Sequence, residues 1–238
     1  MKIKKNLLSI IPIILFLFNS RGVSAMNIIF EGIDASGKTT LLSAFERMLF
    51  DNKESFYSVD ELEESPLRGV LKNMFDKDPF LLSKKDFKTS IYETLVLSAD
   101  CRYKQEYFNK YTNRINVFDR DFLTILAYQK CILQRDYGEN FSEFYEPFKK
   151  LMLFDLKTIK TVVYLKVPIE TSIQRILKRG RGQPYTQEQI DMLIKVKNCY
   201  ENELIPELMS MGIDVTILDG TAPPEVNAEK IYKKIKGL

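Results

Sequence analysis

At 238 residues, 45% hydrophobic and 28% charged, the chain is long enough to bury one α/β core, and one domain is the default. A formal charge of +3 gives no basic field for nucleic acid, and three scattered cysteines with no histidine leave neither a zinc site nor a disulfide framework. Without histidine, chemistry must run on carboxylates, lysine, arginine and Mg²⁺, and phosphoryl transfer tolerates that best because it is mostly positioning and charge stabilisation.

The first 25 residues read differently from the rest. Lys2, Lys4 and Lys5 precede an apolar run from Leu7 to Phe18, and Val23-Ser24-Ala25 has the small residues of a cleavage site. The run is shorter than the roughly 20 residues of a membrane span. Scattered cysteines suit a reducing compartment, and Met26 stands immediately before the first strand. The reading preferred here is a cytoplasmic protein starting in effect at Met26, with residues 1–25 an over-extended frame; the alternative is a genuine signal and export. Residues 26–238 then form a single domain.

Ile28-Ile29-Phe30 predicts a strand, and Gly32-x-x-x-x-Gly37-Lys38-Thr39 follows it before Leu41-Leu42 begins a helical pattern. Strand, glycine loop and helix in that order are the context of a phosphate-binding loop. Gly32 and Gly37 permit the turns that aim main-chain N–H groups of Ala35, Ser36 and Thr40 at one anion, and the helix adds its positive end. Lys38 supplies a point charge for the outer phosphates, and the Thr39 hydroxyl suits Mg²⁺. The expected ligand is a nucleoside triphosphate.

Leu41, Leu42, Phe45, Met48 and Leu49 continue a helix to Asp51, and Phe56 to Val59 reads as a second strand ending in an acidic run from Asp60 to Glu64. Ser65-Pro66 predicts a helix start, and Ser83-x-x-Asp86 a capping box opening a long helix through Phe87, Ile91, Leu95 and Arg102. Ile115 to Phe118 is the third strand, delivering Asp119 and Arg120 at its carboxyl end, where ligands sit in open α/β sheets. Asp119 suits Mg²⁺ and Arg120 a phosphate. A helix from Phe122 to Arg135 and another from Ser142 to Met152 precede the apolar strand Thr161 to Val167. After Pro168 comes a helix ending in Arg175, Lys178, Arg179, Gly180, Arg181 and Gly182, which reads as a cationic lid over about 175–186. Thr186-x-x-Gln189 starts a helix to Met209, bent near Pro206; Val215 to Leu218 is the fifth strand, and Pro223-Pro224 opens a final helix. Strands alternating with helices imply a doubly wound parallel sheet of about five strands with helices on both faces.

Together these residues resemble the thymidylate kinase family of P-loop nucleoside monophosphate kinases, from Met26 almost to the C-terminus. Phe30 to Thr40 is similar to that family's first motif; Asp119-Arg120 through Thr124 to Ala127-Tyr128-Gln129 is similar to its second. The resemblance implies a P-loop nucleoside triphosphate hydrolase fold with a helical lid, Mg²⁺, ATP as donor, and dTMP as acceptor. It implies small nucleotides rather than nucleic acid or membrane as partners, and the homodimer usual in the family. It gives Lys38, Arg120, Arg179 and Arg181 the catalytic positions, and Asp34, Thr124 and Gln129 places around the acceptor. Ala35 occupies the P-loop position that carries a transition-state arginine in part of the family, so here Arg179 or Arg181 must supply it.

The departures fall on the acceptor side. Where the family has Arg-Glu after the second strand, this chain has Asp60-Glu61. Where a Phe stacks on thymine and an Arg four residues on bonds its edge, this chain has Leu97 and Cys101, with Arg102 one place late. That pattern sustains a second reading as a deoxynucleoside kinase, in which Asp60 or Glu61 takes the 5′-hydroxyl proton. A third is a nucleotide-binding protein without turnover.

Overall fold

The computed structural model describes residues 26–61, 65–78, 83, 85–154, 156, 159–179 and 185–238. Residues 1–25, positions 62–64 and the lid segment 180–184, with Arg181, lie outside the described residues. Five strands, β1 (Met26–Glu31), β2 (Phe56–Val59), β3 (Ile115–Asp119), β4 (Ile159–Lys166) and β5 (Val215–Asp219), make one parallel sheet in the order β2-β3-β1-β4-β5. The helices are α1 (Lys38–Asp51), α2 (Arg68–Lys77), α3 (Phe87–Phe108), α4 (Phe122–Tyr137), α5 (Phe141–Met152), α6 (Ile169–Arg179), α7 (Gln187–Cys199), α8 (Ile205–Ser210) and α9 (Pro224–Lys236).

The sheet is doubly wound because alternate side chains serve different layers. Ile28 and Phe30 of β1, Val117 of β3, and Val163 and Leu165 of β4 pack with Leu41, Phe45 and Leu49 of α1 and Ile231 and Ile235 of α9. Their strand neighbours Ile29, Phe118, Val162 and Tyr164 face the opposite layer, with Leu126 of α4, Tyr145 of α5 and Val196 of α7. With both faces covered, the centre of β1 is closed to solvent: Ile28, Ile29 and Phe30 are at most 1% exposed. β1 lies between β3 and β4, so the P-loop, the end of β3 and the end of β4 open onto one edge, at the place where strand order reverses.

Three local expectations change in detail. The long helix is capped by Asp86, whose carboxylate accepts from Thr89 N at 3.1 Å, rather than by Ser83, and so begins at Phe87. Asp and Ser are equivalent caps in sequence, and the extended backbone at Asp86 decides between them. Ser65 uses its hydroxyl to accept from Leu67 N at 3.1 Å, and α2 starts only at Arg68. The bend before Pro206 is a π-helical turn, Tyr200–Leu204. Proline lacks the N–H that would continue the α ladder, and the wider turn absorbs the break. At Thr186 both halves of the capping box form, with Gln189 N donating to Thr186 Oγ1 at 3.3 Å and Thr186 N donating to Gln189 Oε1 at 2.9 Å.

Candidate active site

The loop after β1 is shaped by contacts that forbid side chains. Gly32 has φ +147°, and a Cβ there would lie 2.9 Å from the Leu165 carbonyl oxygen. Gly37, at φ +105°, turns the chain into α1. Ala35 takes φ +55°, a left-handed conformation costing an alanine on the order of 1 kcal/mol. Beneath the loop the Lys38 ammonium is buried and donates to the carbonyls of Gly32 (2.8 Å) and Ile33 (3.1 Å). Burial, then the neighbouring Arg120 charge, pulls its pKa down to about 8. Thr39 and Thr40 are exposed on the first turn of α1, and the buried Ser36 hydroxyl has no hydrogen-bond partner among the described residues.

Arg175 of α6 pins this loop from behind. Its guanidinium donates to the carbonyls of Ser36 (2.7 Å), Ala35 (3.3 Å) and Gly220 (2.9 Å). Ser172, one helical turn earlier, donates to the Asp34 carbonyl at 2.5 Å. The first arginine of the expected lid therefore braces the P-loop, while Arg179 lies exposed at the end of α6.

Arg120 stands across from the loop with φ +67°, also left-handed. Its guanidinium forms an ion pair with the Asp34 carboxylate, and its Nε lies 3.7 Å from Glu61. Burial opposes the charge on Asp34, but Arg120 and Lys38 outweigh it and hold the carboxyl below its ordinary pKa. Tyr185, just beyond the lid segment, donates to the other Asp34 oxygen at 3.4 Å.

Three clefts meet here. One of about 840 Å³ is lined by Asp34 to Thr39, Glu61, Asp119, Arg120, Arg179 and Tyr185. A neighbour of about 730 Å³, sharing Gly37 and Arg179 with it, runs over Thr40, Lys178, Gly220 and Asn227. A third of about 460 Å³ shares Glu61 and Arg120, and carries Asp60, Leu97, Asp100, Lys104, Asp121 and Thr124 on apolar walls of Leu71, Phe75 and Phe118. The 840 Å³ cleft suits Mg²⁺ by donor chemistry, since Thr39 and Asp119 offer hard oxygens beside Lys38. Among the described residues no group of three or more His, Cys, Asp or Glu side chains makes an all-protein metal cage. Mg²⁺ needs none, because one or two protein oxygens with phosphates and water complete its shell.

Most of the residues expected from the sequence thus converge, but two do not. Arg102 turns away and closes the C-terminus of α5, donating to the carbonyls of Leu151 (2.5 Å), Met152 (2.9 Å) and Phe154 (2.7 Å). One residue of helix is a rotation of about 100°, so a side chain one place late faces a different neighbour. Gln129 is buried between α3 and α4, where it accepts from the Thr94 hydroxyl at 2.7 Å. Arg181 is outside the described residues.

Sequence reasoning missed Glu31, Tyr185, Tyr200 and the bracing role of Arg175. The one available signal was Glu31, a carboxylate directly after the apolar run Ile28-Ile29-Phe30. It also missed Lys104, which pairs with Asp100 at 2.8 Å and donates to the Glu61 carbonyl at 2.8 Å. The 460 Å³ cleft holds four carboxylates, Asp60, Glu61, Asp100 and Asp121, against Lys104 and Arg120, and both cations are already engaged with acids.

Comparison with known proteins gives this geometry a family. The family model for thymidylate kinase matches residues 30–231. A probable thymidylate kinase of Metallosphaera sedula is 26% identical over 211 residues, covering 89% of this chain and 92% of the relative. A thymidylate kinase of Campylobacter lari is 24% identical over 218 residues, covering 89% and 97%. Among solved structures, a deoxyadenosine kinase from M. mycoides with bound dATP superposes with TM-score 0.60 at 18% identity, over 89% of this chain and all of that one. The same enzyme with dCMP and a flexible dCDP gives TM-score 0.59 at 21% identity, over 90% of this chain. At those identities the structural likeness concerns the fold, which is of the P-loop nucleoside triphosphate hydrolase type. With the family model spanning most of its length, the chain belongs to the thymidylate kinase family and is a nucleotide kinase.

Proposed function

We propose that the protein transfers the γ-phosphoryl group of ATP to a deoxynucleoside monophosphate, with dTMP the first acceptor to test. The observation that carries this is the shared wall: Arg120 and Glu61 line both the P-loop cleft and the apolar-walled cleft beside it. The phosphates of ATP bind over the amides of Ala35 to Thr40, and Lys38 moves from its loop carbonyls to the outer phosphates. Thr39 and Asp119 would hold Mg²⁺, which when bound would supply charge neutralisation at the outer phosphates. Arg120 grips the phosphate between the two clefts, and Arg179, with Arg181, closes from the lid. The acceptor's sugar meets Asp34, and its base lies against Leu97. Dependence on ATP favours the cytoplasm as the working compartment; no helix among the described residues is long and apolar enough to cross a membrane.

The charge count of the acceptor cleft favours a second reading, transfer to the 5′-hydroxyl of an uncharged deoxynucleoside. Four carboxylates against two engaged cations repel a dianionic monophosphate, whereas a nucleoside meets no such penalty. Glu61 is then the base that takes the hydroxyl proton as oxygen bonds to the γ-phosphorus and ADP leaves. A coupled ADP-release assay with matched nucleosides and monophosphates separates the two. ADP with dTMP but not thymidine supports the first, the reverse supports the second, and no ADP with any acceptor contradicts both.

Restoring the cation sharpens the comparison. Asp60→Arg is expected to lower the KM for the monophosphate about tenfold, the worth of one charge-assisted hydrogen bond. Its effect on the nucleoside should stay within about twofold. A monophosphate KM unchanged in the variant would count against a phosphate beside position 60.

A further inference from the structure

Glu31 ends β1 on the face opposite Phe30, and none of it is exposed. One carboxylate oxygen accepts from the main-chain amides of Asp121 (3.0 Å) and Thr124 (3.2 Å). The other accepts from the hydroxyls of Thr124 (2.6 Å) and Tyr200 (3.0 Å). Capping α4 does not require this. Asp121 already caps that helix, accepting from Phe122 N at 2.8 Å, so Glu31 is a second anion at the same helix end in a fully buried place. What the arrangement does fix is Arg120. The amide of Arg120 donates to the Phe30 carbonyl at 3.0 Å, and the next amide donates to Glu31. Both peptides around the arginine are therefore tied to consecutive residues of β1, and between them the residue holds φ +67°.

We propose that Glu31 is a positioning residue for Arg120, locking the Arg120–Asp121 peptide to the P-loop strand so that the guanidinium faces the phosphate between the two clefts. This rests on the reading above, in which Arg120 grips that phosphate. A left-handed arginine without the second tie relaxes toward ordinary backbone angles and takes its guanidinium with it. A misplacement of about 1 Å at a transferring phosphate is enough to cost rate.

The surroundings give a readout that a purely structural tie would not move. Burial raises the Glu31 pKa to about 7; hydrogen bonds from Thr124 and Tyr200 pull it down, Asp121 adds to the rise and Arg120 opposes it. Lys38 on α1 and Tyr164 on β4 complete the ionisable groups that face it. Above about pH 7 the carboxylate accepts all four hydrogen bonds as an anion. Below it the added proton turns one oxygen into a donor, and the tie becomes that of a neutral amide.

The test is Glu31→Gln, which imitates the protonated form. With the best acceptor, kcat at pH 8 is expected to fall about tenfold, while the Kd for a fluorescent ATP analogue changes by less than twofold and the melting temperature stays within a few degrees. The wild-type rate should drop as pH falls through about 7 toward the variant's rate, and the variant should lack that acidic limb between pH 6 and 7.5, below the pH near 8 at which Lys38 loses its proton. Tyr200→Phe, which removes one bond to the carboxylate and keeps the ring, should move the wild-type acidic limb to higher pH. A Glu31→Gln enzyme with wild-type kcat and an unchanged pH profile would overturn the proposal, as would an unmoved limb in Tyr200→Phe. A wild type that releases no ADP with any acceptor fails the functional reading itself, whereas an active wild type matched by Glu31→Gln fails only the role of Glu31.

Discussion

Replacing Lys38 by alanine is expected to cut phosphoryl transfer by about a thousandfold while leaving the sheet folded. The rate loss follows from what the ammonium is placed to do. Among the described residues it is the one lysine lining the P-loop cleft, and it starts from two carbonyl hydrogen bonds it can exchange for phosphate oxygens. Removing a single donor aimed at developing charge in a dry site typically costs on the order of a hundred- to a thousandfold. Stability should change little, because the ammonium is held against burial, as its lowered pKa records. The buried carbonyls of Gly32 and Ile33 lose a partner, a cost offset by removal of a buried charge. Steady-state ADP release and a thermal melt of the same preparation check both halves. Turnover near the wild-type rate would remove Lys38 from the chemistry, and a collapsed melting curve would make it structural instead.

Arg179→Ala carries the second large effect, about a thousandfold in kcat with the KM for ATP changed severalfold at most. Ala35 brings no guanidinium to the P-loop, so any arginine added there to Lys38 and Arg120 comes from the lid. Among the described residues Arg179 is the lid arginine that lines both the P-loop cleft and its 730 Å³ neighbour. Arg175, four residues earlier on the same helix, makes the contrast. Two of its carbonyl contacts hold the loop and the third ties it to Gly220 after β5, so Arg175→Ala should lower the melting temperature and loosen ATP binding together. Kinetic and thermal profiles of the two variants should therefore separate. If Arg179→Ala keeps most of its kcat, the transition-state charge comes from elsewhere, and Arg181 is the next arginine to replace.

The contrast between those two arginines shows what the sequence could and could not convey. The doubly wound sheet was legible because burial on both faces leaves near-continuous apolar runs, as at Thr161 to Val167, and because glycine at positions 32 and 37 has a mechanical reason to be there. Charge spacing along a helix does not reveal which partner a side chain reaches. Arg175 and Arg179 read as one flap, yet one braces the loop and the other faces the clefts. Arg102 read as a late base contact, and a rotation of about 100° sends it to the end of α5 instead. Glu31 and Tyr200 lie 169 positions apart, and their hydrogen bond exists only once α7 has run into its π turn. No local pattern encodes that meeting.

The most direct measurement is a crystal structure of the protein with Mg²⁺ and a nonhydrolysable ATP analogue. The account predicts the analogue's β-phosphate among the amides of Ala35 to Thr39, with Lys38 Nζ released from Gly32 and Ile33 and within hydrogen-bond reach of a phosphate oxygen. Density for the analogue away from the P-loop, or in it with Lys38 still bound to both carbonyls, would contradict it.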